Sequence, residues 1–298
     1  MSGELQSSEP RTAVREDASE TDRARPAAPD PKRRLATIVG RELRTIVRTR
    51  TFFVLGLAFA AVLLGIAWVG GSVRAGYVPT LVDLLTPLEL LVPVVAVAFG
   101  YRAILGDEQR GELDVLETYP VSHREIVLGV YAGRAIGLLV TVVVPLAVVA
   151  AAVFRFEDDA LSLYASHSGA DSPVLFARFV VLTALFALAV LAVAIAISAA
   201  VSGTRSALAL AVVALVVLLV GLDLAIAFGV SAGAIGDAEL VYSLAASPLS
   251  AYRGLVFESA IVVAAGTGPA VASPIASLAS LAVWTLGSLG FAAWVLNR

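Results

Sequence analysis

Cysteine is absent from this chain of 298 residues. That excludes a disulfide framework, a thiolate metal site and a cysteine nucleophile. The single methionine is Met1, so no set of thioethers is available to ferry a soft metal. Lysine is almost as scarce, since Lys32 is the one lysine among 21 basic residues. A P-loop needs a lysine after a glycine-rich turn to reach the β- and γ-phosphates of a nucleotide. No lysine follows position 32, and an ordinary Walker-type site is excluded. Histidine occurs only as His123 and His167, and no His-Glu-x-x-His run is present. No catalytic residue, cofactor site or metal site follows from any motif. Nucleic-acid binding is disfavoured as well, because the basic residues alternate with apolar stripes and not with aromatic stacking platforms.

What the chain has in excess is apolar sequence. It is 59% hydrophobic with a mean hydropathy of +0.89, where a soluble domain has about 45–50% apolar residues. The excess lies in runs of a length that reads as bilayer spans. Spans are expected at about 52–73, 84–105, 126–154, 174–200, 206–230 and 275–296, with five or seven as alternatives to six. Residues 251–265 are short for a span, and Gly266, Gly268, Pro269 and Pro274 separate them from the last run. They read as a re-entrant or interfacial helix. The expected class is all-α, a polytopic transmembrane helical bundle in the cell membrane.

Two segments lie ahead of the spans. Residues 1–32 are polar, rich in proline and balanced in charge, which is the composition of a disordered tail. Residues 33–50 place Leu35, Ile38, Val39, Leu43, Ile46 and Val47 at helical spacing, with Arg34, Arg41, Arg44 and Arg48 on the other face. That pattern predicts an amphipathic interfacial helix; a basic flank that merely orients the first span is the simpler alternative. Arginine bias sets the orientation. With the amino terminus inside, the inner segments hold Lys32, Arg33, Arg34, Arg41, Arg44, Arg48, Arg50, Arg102, Arg110, Arg124, Arg205 and Arg298. The outer side keeps Arg74, Arg155 and Arg253, with Arg178 at a span edge. Both termini are expected in the cytoplasm.

The loop between the second and third spans, 106–125, is dense in charge yet carries Leu113, Val115, Leu116 and Tyr119. Gly111 permits a break, Pro120 stops a helix, and Ser122 can cap the helix that leads into the third span. A short amphipathic helix over about 108–118 would present an apolar ridge to a cytoplasmic partner; a solvated connector is the alternative. Glu89 and Asp223 fall within spans, where charge is costly. They either line an outward vestibule or pair with Arg74, Arg178 or Arg253. Arg134, near the start of the third span, is expected to snorkel to the inner headgroups. The outer segment 154–173 holds Glu157, Asp158, Asp159, His167 and Asp171, a set for a cation or only a set of solvated acids.

The run from Glu108 to Gly129 resembles the coupling segment of type 2 ABC export permeases: an acidic residue, a glycine, a leucine-rich turn, then Pro120-Val-Ser122 with basic residues and a glycine entering the next span. Within that family it is most similar to permeases tied to multi-copper enzyme maturation, including the nitrous oxide reductase group. The resemblance covers about 33–298. It implies an ATP-binding subunit as partner, assembly as a homodimer or pseudo-dimer, and coupling roles for Glu108, Gly111, Glu112, Leu113, Leu116, Pro120 and Ser122. His123 departs from the basic residue more usual at its position, although Arg124 follows. An intramembrane enzyme using Glu89 and Asp223, and a stand-alone scaffold or secondary carrier, are the competing readings.

Overall fold

The computed structural model describes residues 31–109, 111, 122–158, 171–265 and 272–298. Every regular element among them is helical, as apolar runs demand when no water is present to satisfy backbone groups. In chain order they are α1 Pro31–Arg48, α2 Arg50–Val69, α3 Ser72–Ala75, α4 Tyr77–Gly100, α5 Leu105–Gln109 and α6 His123–Phe156. Then follow α7 Pro173–Ala200, α8 Thr204–Ser231, α9 Asp237–Ser243, α10 Pro248–Ala265 and α11 Pro274–Leu296. One π-helical stretch, Val217–Gly221, interrupts α8, and another, Phe257–Ile261, interrupts α10. Among the described residues, seven segments are long and apolar enough to cross a bilayer: α2, α4 with α5, α6, α7, α8, α10 and α11.

Helix α7 is the hub. Of its most apolar stretch 67% is buried, against 11% for α8, so α7 is surrounded by protein while α8 shows nearly all its surface outward. Phe176, Phe179 and Phe186 fill the space around α7. Alanines at 187, 189, 192 and 194 are buried beside them and keep its other side thin. Gly100 of α4 sits directly on Ala194, where a Cβ would collide. Helix α4 passes through Pro87 and Pro93 without ending. It also begins at Tyr77 and not near residue 84, because Asp171, just ahead of α7, accepts the backbone N–H groups of Tyr77 at 2.7 Å and Val78 at 2.6 Å. An apolar count sees Asp83 as an edge; a carboxylate arriving from nearly a hundred residues away extends the helix beyond it.

The amphipathic α1 does not rest on lipid alone. It runs beside the first part of α6, in the same direction, with Ile38 on Gly129, Glu42 on Gly133 and Ile46 on Gly137. Each pair is one helical turn beyond the last. A Cβ at Gly129 would stand 2.6 Å from Ile38, one at Gly137 would stand 2.7 Å from Ile46, and one at Gly133 would overlap Glu42. Small residues spaced by four let two helix backbones approach closely.

The deep end of α10 lies among the middles of its neighbours. The indole N–H of Trp284, midway along α11, donates to the Ala246 carbonyl at 3.1 Å. Tyr252 stacks on Phe186 with ring centroids 4.7 Å apart, and its hydroxyl shares a 2.9 Å hydrogen bond with Thr183. Farther along, the Ser259 carbonyl accepts from Arg178, near the start of α7, at 3.0 Å. The Glu258 carboxylate accepts from the backbone N–H of Ala272, just ahead of α11.

Candidate coupling face and intramembrane polar sites

At the arginine-rich end, α5 continues the line of α4 through a turn held by one hydroxyl. Ser198 Oγ, buried at the end of α7, accepts the N–H groups of Ile104 and Leu105, both at 3.0 Å. Gly111 closes the turn after α5: its N–H donates to the Glu108 carbonyl at 2.9 Å, and its φ of +69° is a left-handed conformation that suits glycine. On the far side of the loop, Ser122 caps α6. Its hydroxyl accepts from the Glu125 N–H at 3.3 Å, while the Glu125 carboxylate accepts from the Ser122 N–H at 2.8 Å, a reciprocal capping box. Of the residues carried over from the family pattern, Glu108, Gly111 and Ser122 are thus located. Glu112, Leu113, Leu116 and Pro120, with most of the amphipathic helix expected at 108–118, lie outside the described residues.

A charge network joins this loop to α1. Arg41 pairs with Asp107 of α5 and donates to Glu42 at 3.2 Å, and the Nε of Arg134 donates to Glu42 at 2.7 Å. Glu42, Asp107 and Arg134 are all buried. Arg134 therefore does not snorkel to the headgroups as its position suggested. It turns inward to Glu42 and over the Phe52 ring, 5.6 Å from the centroid. Burial pushes the Glu42 carboxyl above its ordinary value and Asp107 pushes the same way, while Arg134 and Arg41 pull it down. Glu42 itself escaped sequence reading, because a lone acid among arginines on an amphipathic helix looks like a solvated residue.

Within the bundle, Arg253 grips Glu89 with two parallel hydrogen bonds, Nε at 2.7 Å and Nη2 at 2.5 Å. Bidentate geometry makes this among the stronger side-chain contacts. Asp223 accepts the Ser250 hydroxyl at 2.9 Å. Both acids are thereby drawn to α10, Glu89 from α4 and Asp223 from α8, and of the arginines that might pair with Glu89 the partner is Arg253. A cleft of about 330 Å³ opens beside the pair, with Thr86 and Phe257 in its lining.

Asp171, one of the acids of the segment 154–173, serves as the cap of α4, and Asp159 and His167 lie outside the described residues. No group of three or more metal-ligating side chains occurs among the described residues. Gly229-Val-Ser231-Ala-Gly233 has the spacing of a hydrolase nucleophile elbow, yet it ends a membrane helix and follows no strand. Ser231 donates to the Phe228 carbonyl at 2.9 Å, as any helix-end serine does.

An all-helical bundle with a charge network at one end and paired charges in its interior is the build of a polytopic membrane protein. Residues 36–298 match the ABC-2 family transporter protein family, and the chain belongs to that family. Two relatives both carry the name "Probable ABC transporter permease protein NosY". The one from Pseudomonas aeruginosa is 32% identical over 148 residues, 48% of this chain and 50% of that protein. The one from Stutzerimonas stutzeri is 32% identical over 112 residues, 36% of this chain and 41% of that protein. The matched segments thus span half or less of the relatives' length. The family resemblance drawn from the run Glu108–Gly129 is borne out.

Proposed function

We propose that this chain is the membrane-spanning permease subunit of an ATP-driven transporter, worked by a separate ATP-binding subunit that docks on the coupling segment 106–125. The observation that supports this most is the anchoring of that segment. The turn leading into it is held to α7 by Ser198, its Asp107 pairs with Arg41 of α1, and its end is capped onto α6. A partner pushing on such a loop moves whole helices as rigid bodies and not a slack tether. The chain's lack of a lysine-bearing P-loop fits the same division of labour. Two copies, or this chain and a similar one, make up the translocation unit, with both termini in the cytoplasm.

In this reading α10 is re-entrant: the chain dips inward through α9 to about Ala246 and returns outward along α10, leaving six true spans. The cargo stays open, because one architecture serves many substrates; the likeness to the nitrous oxide reductase group points to the maturation of a multi-copper enzyme. Co-purification of the full chain with an ATP-binding subunit co-expressed from the same organism tests the core of the proposal. A stable complex is expected, together with its loss on Gly111→Val or Glu112→Arg. ATP hydrolysis or transport by the purified chain alone would overturn it.

A further inference from the structure

Between the start of α6 and the end of α11 lies a groove of about 530 Å³. Its walls are apolar, formed by Val127 and Leu128 of α6 and by Leu286, Leu289 and Trp294 of α11. Leu128 and Trp294 are nearly half exposed and Leu286 more so, so the groove faces outward from the bundle. Gly290 lines it, and a Cβ there would meet nothing within 4 Å. The space is open and not filled by packing. At the arginine-rich end the mouth carries His123 and Arg124. Among the described residues no carboxylate pairs with Arg124, and the neighbouring Glu125 is turned back to Ser122. The guanidinium of Arg298 stacks 3.6 Å from the centroid of the Trp294 ring. An indole beside basic groups at the end of a membrane helix marks the headgroup level.

We propose that this groove holds an anionic phospholipid, with an acyl chain along the Leu286–Trp294 wall and the phosphate at Arg124 and His123. Apolar walls alone would accept any lipid tail; the cationic mouth selects for negative charge. Basic pockets between membrane helices on the cytoplasmic side are suited to such headgroups, with each arginine contributing about a fivefold preference.

The groove carries its own reporter in Trp294. The full-length chain is reconstituted in vesicles containing dibrominated phosphatidylglycerol or dibrominated phosphatidylcholine, and the Trp294 signal is taken as the difference from Trp294→Phe. Phosphatidylglycerol is expected to quench Trp294 at about fivefold lower mole fraction than phosphatidylcholine. Arg124→Gln should abolish that preference. Gly290→Leu, which fills open space, should relieve the quenching of Trp294 and leave that of Trp68 unchanged. Equal quenching by the two lipids, or a preference that survives Arg124→Gln, overturns the proposal. So does a Trp294 that neither lipid reaches, which would mean that a second copy of the chain covers the groove. Loss of the preference on adding millimolar inorganic phosphate would assign the site to a free anion and overturn it equally.

Discussion

Glu42 and Arg134 meet at 2.7 Å in a space that exists because Gly133 has no side chain. The carboxylate is carried to α6 by a helix that could not come so near any larger residue. Arg41 then extends the same cluster to Asp107, and α1, α5 and α6 become one electrostatic unit.

Removing one member of a buried pair strands the other. Glu42→Leu is expected to destabilise the protein by about 3–5 kcal/mol, because Arg134 loses its acceptor, while Glu42→Leu with Arg134→Leu should recover most of that loss. Thermal unfolding in detergent, followed by tryptophan fluorescence, gives the double-mutant cycle. Additive losses would mean that the two side chains do not act together.

Two glycines make a matched comparison for the α1–α6 contact. Gly133→Ala places a Cβ against Glu42 and is expected to cost about 1–3 kcal/mol through overpacking. Gly287→Ala, on α11, meets nothing within 4 Å and should be neutral or stabilising by up to about 1 kcal/mol from helix propensity. Similar unfolding midpoints for the two variants would argue against close seating of α1.

The absence of cysteine makes topology simple to test. Ala234→Cys and Ala265→Cys, exposed positions ahead of α9 and at the end of α10, are expected, if α10 is re-entrant, to react with a membrane-impermeant maleimide from the same side. That side is opposite to a cysteine placed at Thr118. Labelling of 234 and 265 from opposite faces would make α10 a true seventh span.

Glu89→Gln and Arg253→Gln should each weaken the protein by about 1.5–2 kcal/mol, the lower range for a charge-assisted hydrogen bond, since Arg253 is partly exposed. The exchanged pair Glu89→Arg with Arg253→Glu should restore part of the loss. ATPase stimulation in the assembled complex should follow the same order as stability. Normal stability with abolished activity on Glu89→Gln would favour the intramembrane enzyme instead.

Asp171→Ala removes the cap from α4. A loss of about 1 kcal/mol is expected, with faster amide exchange confined to Tyr77 and Val78. Protection unchanged at those two amides would show that the cap contributes nothing.

Much of this architecture is legible in residue order because hydrocarbon is so exacting a solvent. The apolar runs locate the spans, the α1 stripe is visible from Leu35 to Val47, and Ser122 reads as a cap because a serine followed by Glu125 has one obvious use. What resists reading depends on partners far away in sequence. Glu42 and Arg134 are 92 positions apart, and Glu89 had three plausible arginines with nothing local to choose between them. The spacing of Gly129, Gly133 and Gly137 can be seen, but not that Ile38, Glu42 and Ile46 share its rhythm from another helix. Whether α10 is re-entrant or a span has no signature except prolines and a modest apolar length, which a surface helix would share.

That shared rhythm limits how α1 can travel. Three teeth seated in three notches do not glide: any shift along α6 must lift Ile38, Glu42 and Ile46 out together. One turn on, Ile46 would meet Thr141, and one turn back, Ile38 would meet Glu125, so neither neighbouring register offers three glycine notches. A displacement of α1 is therefore carried over to α6, and the two helices travel as a single rod.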